Sequence, residues 1–166
     1  SKMISKKMQD AFVDQINEEL FSSYLYLSMA AWFESQNLRG MAKWMYVQAG
    51  EEREHGMKFF DAVVERGGRV KLAAIKEPQF EWKTPLEAFQ AALAHEQHIT
   101  KRINDLTDMA VKEKDHASGI FLQWFVKEQV EEEANADEIV KKLEFVGTTN
   151  HGLYLLDKEL GARGAD

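Results

Sequence analysis

The chain has only two prolines, Pro78 and Pro85, and both fall in or beside one stretch of sequence. Everything before and after that stretch is therefore free to be helical, and its abundance of Ala, Leu, Glu, Lys, Gln and Met favours that outcome. Punctuation divides the chain into four long segments and a short one. Ser5 is suited to cap a first helix over about 5–36, which Asn37-Leu38-Arg39-Gly40 interrupts. A second helix runs over about 40–67 and stops at Gly67-Gly68. Arg69 to Thr84 has no helical pattern; Thr84 then caps a third helix over about 85–112, with Pro85 at its first position. After the polar turn Glu113-Lys114-Asp115-His116, a fourth helix covers about 117–146. Past Gly147, Thr148-Thr149-Asn150 caps a short fifth over about 149–160.

The connections set the topology. Short links make helices one and two, and helices three and four, antiparallel hairpins. The link between two and three, about 17 residues at about 3.3 Å each, can run the length of a bundle. Helices two and three are then parallel, in an all-α, four-helix bundle with one long crossover plus a short C-terminal helix. At 166 residues, 45% of them hydrophobic, the chain suits a single domain over 1–166 with one sizeable core. The absence of cysteine excludes disulfides, iron–sulfur clusters and thiolate zinc sites. A net charge of −7 argues against nucleic acid as the main partner. Ser1 to Asp10 carries no apolar signal core, and no run approaches a membrane span. No membrane association and a cytoplasmic location are the expectation.

Chemistry enters where acids interrupt the apolar seams. Taken at 4-3 spacing, the seam of helix one runs through Ile16, Glu19, Ser23 and Tyr26. That of helix two passes Gln48, Glu52, His55 and Phe59, with Glu52 and His55 one turn apart on one face. Helix three contributes Leu93, Glu96 and Ile99; helix four contributes Phe125, Gln129, Glu132 and Ala136. Each acid lies near its helix's midpoint, so in a bundle four carboxylates and one imidazole converge in a single layer. Unpaired, they would suffer desolvation and mutual repulsion. Metal cations relieve both, and carboxylate with imidazole and no thiolate suits iron or manganese, with zinc as a competitor.

Other residues have two readings. The run Glu128-Gln129-Val130-Glu131-Glu132-Glu133 is ordinarily a solvated face. Yet Glu131 sits beside the seam, Glu128 lies one turn below it, and Glu51 can approach from the next helix, so a third cation position competes evenly with that reading. Glu113-x-x-His116 repeats the E-x-x-H spacing inside a polar turn and reads as accidental. His95 and His98 flank Glu96 without metalloprotease spacing and are expected at the surface or behind the ligands. Tyr26 and Trp124 read first as core aromatics and second as electron donors; Tyr26 is retained as a candidate catalytic residue. Gly50 and Gly56 flank the helix-two acids, with close backbone approach as one explanation. Leu153, Tyr154, Leu155, Leu156 and Leu160 are too apolar for an exposed short helix. Burial against other subunits is the first explanation, and packing on the chain's own bundle the second.

Glu19-Leu20-Phe21-Ser22-Ser23-Tyr24-Leu25-Tyr26, Glu51-Glu52-Arg53-Glu54-His55, His95-Glu96-Gln97 and Phe121-Leu122-Gln123-Trp124, continuing into Glu128 to Glu133, together resemble the non-haem ferritins of bacteria and archaea. The resemblance spans about Ile4 to Leu160. It implies a first iron held by Glu19, Glu52 and His55. Glu52 would bridge to a second iron held with Glu96 and Glu132, with Gln129 close by. Glu51, Glu128 and Glu131, with Glu132, match the family's third iron site. The resemblance further implies Fe(II) oxidation by dioxygen or hydrogen peroxide and a shell of 24 subunits storing ferric oxyhydroxide. Two departures separate related families. Bacterioferritins carry a second E-x-x-H where this chain has Gln129-Val130-Glu131-Glu132, and their haem-ligating Met matches Arg53, so no haem is expected. Rubrerythrins add a cysteine-ligated iron domain. A di-iron oxidoreductase or peroxidase of the same fold, without mineral storage, is the alternative.

Overall fold

A computed structural model describes residues 3–164; of the domain expected over 1–166, residues 1–2 and 165–166 lie outside the described residues. Five helices follow in order: α1 (Lys6–Ser35), α2 (Arg39–Glu65), α3 (Pro85–Lys112), α4 (His116–Val146) and α5 (Asn150–Leu160). No strand occurs among the described residues. Hydroxyl and carboxylate caps open α1, α3, α4 and α5: Ser5, Thr84, Asp115 and Thr149 each accept a backbone N–H of the first turn. α2 closes on Gly67 at φ +76°, with Gly68 N–H reaching Val63 O and Gly67 N–H reaching Val64 O. Those two bonds satisfy the last carbonyls of the helix, and glycine meets the left-handed conformation they require.

Side-chain contacts establish the directions. Along α1, Ser22 meets His95 and Gln15 meets Arg102, so α1 and α3 are antiparallel. Arg66 at the end of α2 meets Asp115 and Ser118 at the start of α4, so α2 and α4 are antiparallel. α2 and α3 are therefore parallel, as the long crossover demands. The crossover follows α1: Asn17 donates to Ala73 O and Ala74 O, and Ser28 donates to Gln79 O. Eleven helical residues at about 1.5 Å match five extended residues at about 3.3 Å, which explains the regular tie points.

The apolar core is split. One cluster gathers Met29, Phe33, Met41, Met45, Phe89 and Leu143 toward the α5 end. The other gathers Met8, Phe12, Phe59, Ile103, Leu122 and Phe125 toward the opposite end. The layer between them is polar.

α5 packs on its own bundle. Leu156 and Leu160 are buried there, while Tyr154 and Leu155 stay exposed on the single chain. The second explanation for this apolar helix thus accounts for part of it, and the reason is the start of α2. No side chain at the Leu38 cap position bonds the first turn of α2. Asp157 of α5 does so instead, accepting Met41 N–H at 2.8 Å. The approach is close enough that a Cβ on Gly40 would fall 1.8 Å from Asp157 O. Gly40→Ala should accordingly undock α5 while leaving the four long helices intact. Amide exchange would show this as lost protection confined to α5 and the first turn of α2; unchanged protection there would refute it.

Candidate metal centre

The polar layer is built by four helices. Glu19, Glu52, Glu96 and Glu132 are all buried, as are His55, Gln129 and Tyr26. Two groups of ligand atoms converge within 4.8 Å: Glu19, Glu52 and His55 form one, and Glu52, Glu96 and Glu132 form the other. Glu52 belongs to both, which is the arrangement a bridging carboxylate needs. A third group joins His55, Glu128 and Glu132.

Hydrogen bonds brace all four carboxylates, and those of Glu19 and Glu52 each keep one buried oxygen unbonded. Tyr26 O–H donates to Glu96 Oε1 at 2.5 Å. Gln129 Nε2 donates to Glu96 Oε2 and to Glu96 O, at 3.2 and 3.1 Å. Gln48 Nε2 lies 2.8 Å from Glu52 Oε1 and 2.6 Å from Glu132 Oε2. Gln15 Nε2 donates to Glu19 Oε1 at 3.0 Å. Within this layer three buried atoms are left with no hydrogen-bond partner: Glu19 Oε2, Glu52 Oε2 and His55 Nδ1. They face one another, with His55 Nδ1 3.3 Å from Glu52 Oε2 and 3.7 Å from Glu19 Oε2. Buried polar atoms are rarely left unsatisfied, and two carboxylate oxygens with one imidazole nitrogen form a coherent metal donor set.

Electrostatics agree. Burial, reinforced by Glu19, pushes the Glu52 carboxyl up to about 7. Burial with the neighbouring Glu52 raises Glu96 to about 8, and burial with Glu96 raises Glu132 to about 8. Burial alone would lower His55, but the facing carboxylates of Glu19 and Glu52 favour its charged form and carry it up to about 11. The Tyr26 hydroxyl is held well above its ordinary value by burial and by Glu96. Without a cation, burial and mutual repulsion favour the protonated carboxyls in this layer. Two divalent cations would balance four carboxylates and replace those protons.

The outer acids behave differently. Glu128 approaches His55 and Glu132, Glu131 is exposed, and Glu51 is paired with Arg163 at 3.0 Å. The three are not brought into one cluster. His95 is half-buried, its Nε2 2.6 Å from Ser22 Oγ, and desolvation followed by His98 lowers its pKa to about 4. His98 is exposed beside Glu18. Trp124 is not a core residue as first read: it is exposed, one position off the α4 seam, with its ring 5.3 Å from that of His55 and capped by Lys58. Tyr26 is in the core. Nothing in the structure explains Gly50, whose missing Cβ would face open space. Gly56 abuts α1, where a Cβ would lie 3.4 Å from the Glu19 Cβ.

Sequence reasoning passed over two supports. Arg102 Nε donates to Gln15 Oε1 at 2.9 Å, and Arg163 Nη2 to Gln48 Oε1 at 2.8 Å. Each arginine claims the amide oxygen, so each amide nitrogen must face a carboxylate. Gln48 could have been suspected from its place on the seam. The arginines, far away in sequence, leave no periodic signal.

A bundle with one long crossover and a glutamate shared between two buried carboxylate clusters defines a ferritin-like bundle with a candidate metal site. The family model described as Ferritin-like domain matches residues 9–146, and the chain belongs to the ferritin family. A bacterial non-heme ferritin of Bacteroides fragilis (strain 638R) is 44% identical over 161 residues, 97% of this chain and 100% of that protein. One from Staphylococcus aureus (strain USA300) is 38% identical over 164 residues, 99% of each chain. Among solved structures, a novel open pore ferritin from the hyperthermophilic archaeon Archaeoglobus fulgidus superposes with a TM-score of 0.95 at 55% identity, over 96% of this chain and 98% of that one. A closed form of that ferritin, engineered by site-directed mutagenesis, matches with the same TM-score, identity and coverage. The resemblance to non-haem bacterial and archaeal ferritins drawn from the motifs stands.

Proposed function

We propose that this chain, as a single ferritin-like domain over 1–166, is the subunit of a cytoplasmic iron-storage shell of 24 copies. It binds Fe(II) in the central layer, oxidises it with dioxygen or hydrogen peroxide, and passes the product to a ferric oxyhydroxide mineral. Glu19, Glu52 and His55 hold the first iron; Glu52, Glu96 and Glu132 hold the second, with Glu52 between them. Gln129 and Tyr26 fix Glu96 from behind, and no haem takes part. The observation that carries this reading is the set of three orphaned buried atoms, Glu19 Oε2, Glu52 Oε2 and His55 Nδ1, on a layer whose acids are otherwise bonded outward. Among the described residues no helix is long and apolar enough to cross a membrane.

The chemistry balances at this site. Two ferrous ions give up one electron each. Dioxygen accepts both with two protons and leaves hydrogen peroxide, or hydrogen peroxide accepts both with two protons and leaves water. Hard carboxylates favour the ferric product, which helps to drive the oxidation. Burial keeps bulk water from competing for the ligand oxygens, and the glutamines hold those oxygens at their stations before iron arrives.

Storage is separable from oxidation. Metal-free protein supplied with ferrous iron in air should take up far more iron than its binding sites hold, on a large particle whose size does not change. Uptake that stops at the binding sites, on a small oligomer, would reject storage and favour a di-iron oxidoreductase.

A further inference from the structure

Two glutamines occupy matching stations behind the metal layer. Gln15 lies one turn before Glu19 on α1, and Gln48 lies one turn before Glu52 on α2. They are 0% and 1% exposed. Each gives its amide nitrogen to Oε1 of the glutamate that follows, at 3.0 and 2.8 Å, and Gln48 gives the same nitrogen to Glu132 Oε2 at 2.6 Å. Each also takes an arginine on its amide oxygen. Arg102 reaches Gln15 from α3 at 2.9 Å, and Arg163 reaches Gln48 from the tail beyond α5 at 2.8 Å. Arg163 is anchored separately: its guanidinium carbon stacks 4.2 Å from the centre of the Trp44 ring, and Nη1 donates to Trp44 O at 3.1 Å.

A guanidinium only donates, and an ionised carboxylate only accepts. An amide held between the two has one orientation and one station. Removing the arginine leaves a buried amide oxygen without a donor, and such an atom costs enough to pull the glutamine toward a new partner. The glutamate held by that amide then loses its brace. With Oε1 of Glu19 and of Glu52 held in this way, the oxygens left over are the two Oε2 atoms. These are the orphaned atoms that face His55 Nδ1.

We infer that Arg102 and Arg163 are positioning residues, acting through Gln15 and Gln48 to aim the free carboxylate oxygens of the central layer. The inference rests on that layer being an iron-binding site, and it adds where the aim of its ligands comes from. The two relays are unequal. Glu19 belongs to one group of converging ligand atoms, whereas Glu52 belongs to two and Glu132 joins it in the second. Arg102 therefore governs one iron position, and Arg163 governs both.

The test is anaerobic calorimetric titration of metal-free, assembled protein with ferrous ion, with magnetic circular dichroism of the bound ferrous ions recorded alongside. Wild type is compared with Arg102→Met, Arg163→Met, Gln15→Leu, Gln48→Leu and the two Arg/Gln pairs. Arg102→Met should weaken one of the two tight ions by about tenfold, the lower end of the loss seen when a partner behind a ligand is removed, and the other by less than about threefold. Arg163→Met should weaken both by about tenfold. The ferrous spectrum should change for one ion in the first variant and for both in the second. In each pair the arginine change should add nothing to the glutamine change, because the arginine acts through that amide. A role confined to holding helices together would leave the spectra as they are and would persist without the glutamine. If the methionine variants do not assemble, Arg102→Lys and Arg163→Lys keep the charge without the planar fork and should show the same order of losses at smaller size. Unchanged affinities and spectra in the arginine variants, or losses that add fully to those of the glutamine variants, overturn the proposal. Absence of two tight ions in wild type is a different result and overturns the reading of the central site itself.

Discussion

Replacing Glu52 by glutamine should abolish rapid ferrous oxidation and, in the metal-free protein at pH 8, make the chain more stable. The two effects have one cause. Glu52 lies in both central ligand clusters, so losing its charge weakens both metal positions together. Removal of a partner behind a ligand already lowers metal affinity about 10–100-fold. A shared ligand should therefore cost at least about 100-fold in initial oxidation rate at limiting iron. Without metal the same carboxylate is a burden, since it is fully buried and repelled by Glu19 and Glu96. Glutamine keeps its volume and its acceptor for Gln48 while removing that repulsion. Stopped-flow oxidation and thermal unfolding of one preparation check both halves. Retained rapid oxidation would remove Glu52 from the reaction; a loss of stability would mean that its charge is compensated by something other than metal.

The second large effect is a reversal of pH dependence by metal. Glu52, Glu96 and Glu132 have folded pKa values near 7, 8 and 8 against 4.5 for the free side chain. Each binds its proton more tightly folded than unfolded. The stability they contribute is complete below pH 4.5 and is lost as pH rises through 7 to 8. His55, raised to about 11, has the same sign, with its contribution present below 6.5 and lost through 11. The metal-free protein should thus unfold more easily at pH 8 than at pH 5.5. The strong coupling of these groups limits the total to the order of 5 kcal/mol, or roughly 10 °C in Tm for a chain of this size. Divalent cations bind the deprotonated set, so loading should restore stability most at pH 8 and least at pH 5.5. Calorimetric melting of metal-free and anaerobically loaded protein at the two pH values decides it. A metal-free protein that gains stability from pH 5.5 to 8 would contradict the account.

Much of this arrangement is legible in the chain. Pro78, Pro85 and the Gly67-Gly68 stop delimit the crossover, and seam spacing brings Glu19, Glu52, Glu96 and Glu132 into one layer, because both signals are periodic or local. The docking of α5 is not, since it depends on Asp157 reaching the backbone at Met41, far away in sequence, past a glycine that looks like any loop residue. The arginines behind Gln15 and Gln48 escape for the same reason. Trp124 reads as core from its aromatic character alone, against a 4-3 seam that passes through Phe125 and leaves its neighbour outside, where the structure has it. The outer acids were the weakest reading from spacing alone: one helix face can carry Glu128 and Glu131 without saying which turns inward or that Arg163 has engaged Glu51.

The central claim is that the carboxylate layer is a paired iron site, and anaerobic ferrous titration of the metal-free protein tests it most directly. The account predicts two tightly bound ions per chain, with release of about three protons per pair near pH 7, because Glu96, Glu132 and His55 hold protons there. Binding of fewer than two tight ions, or binding with no proton release, would contradict it.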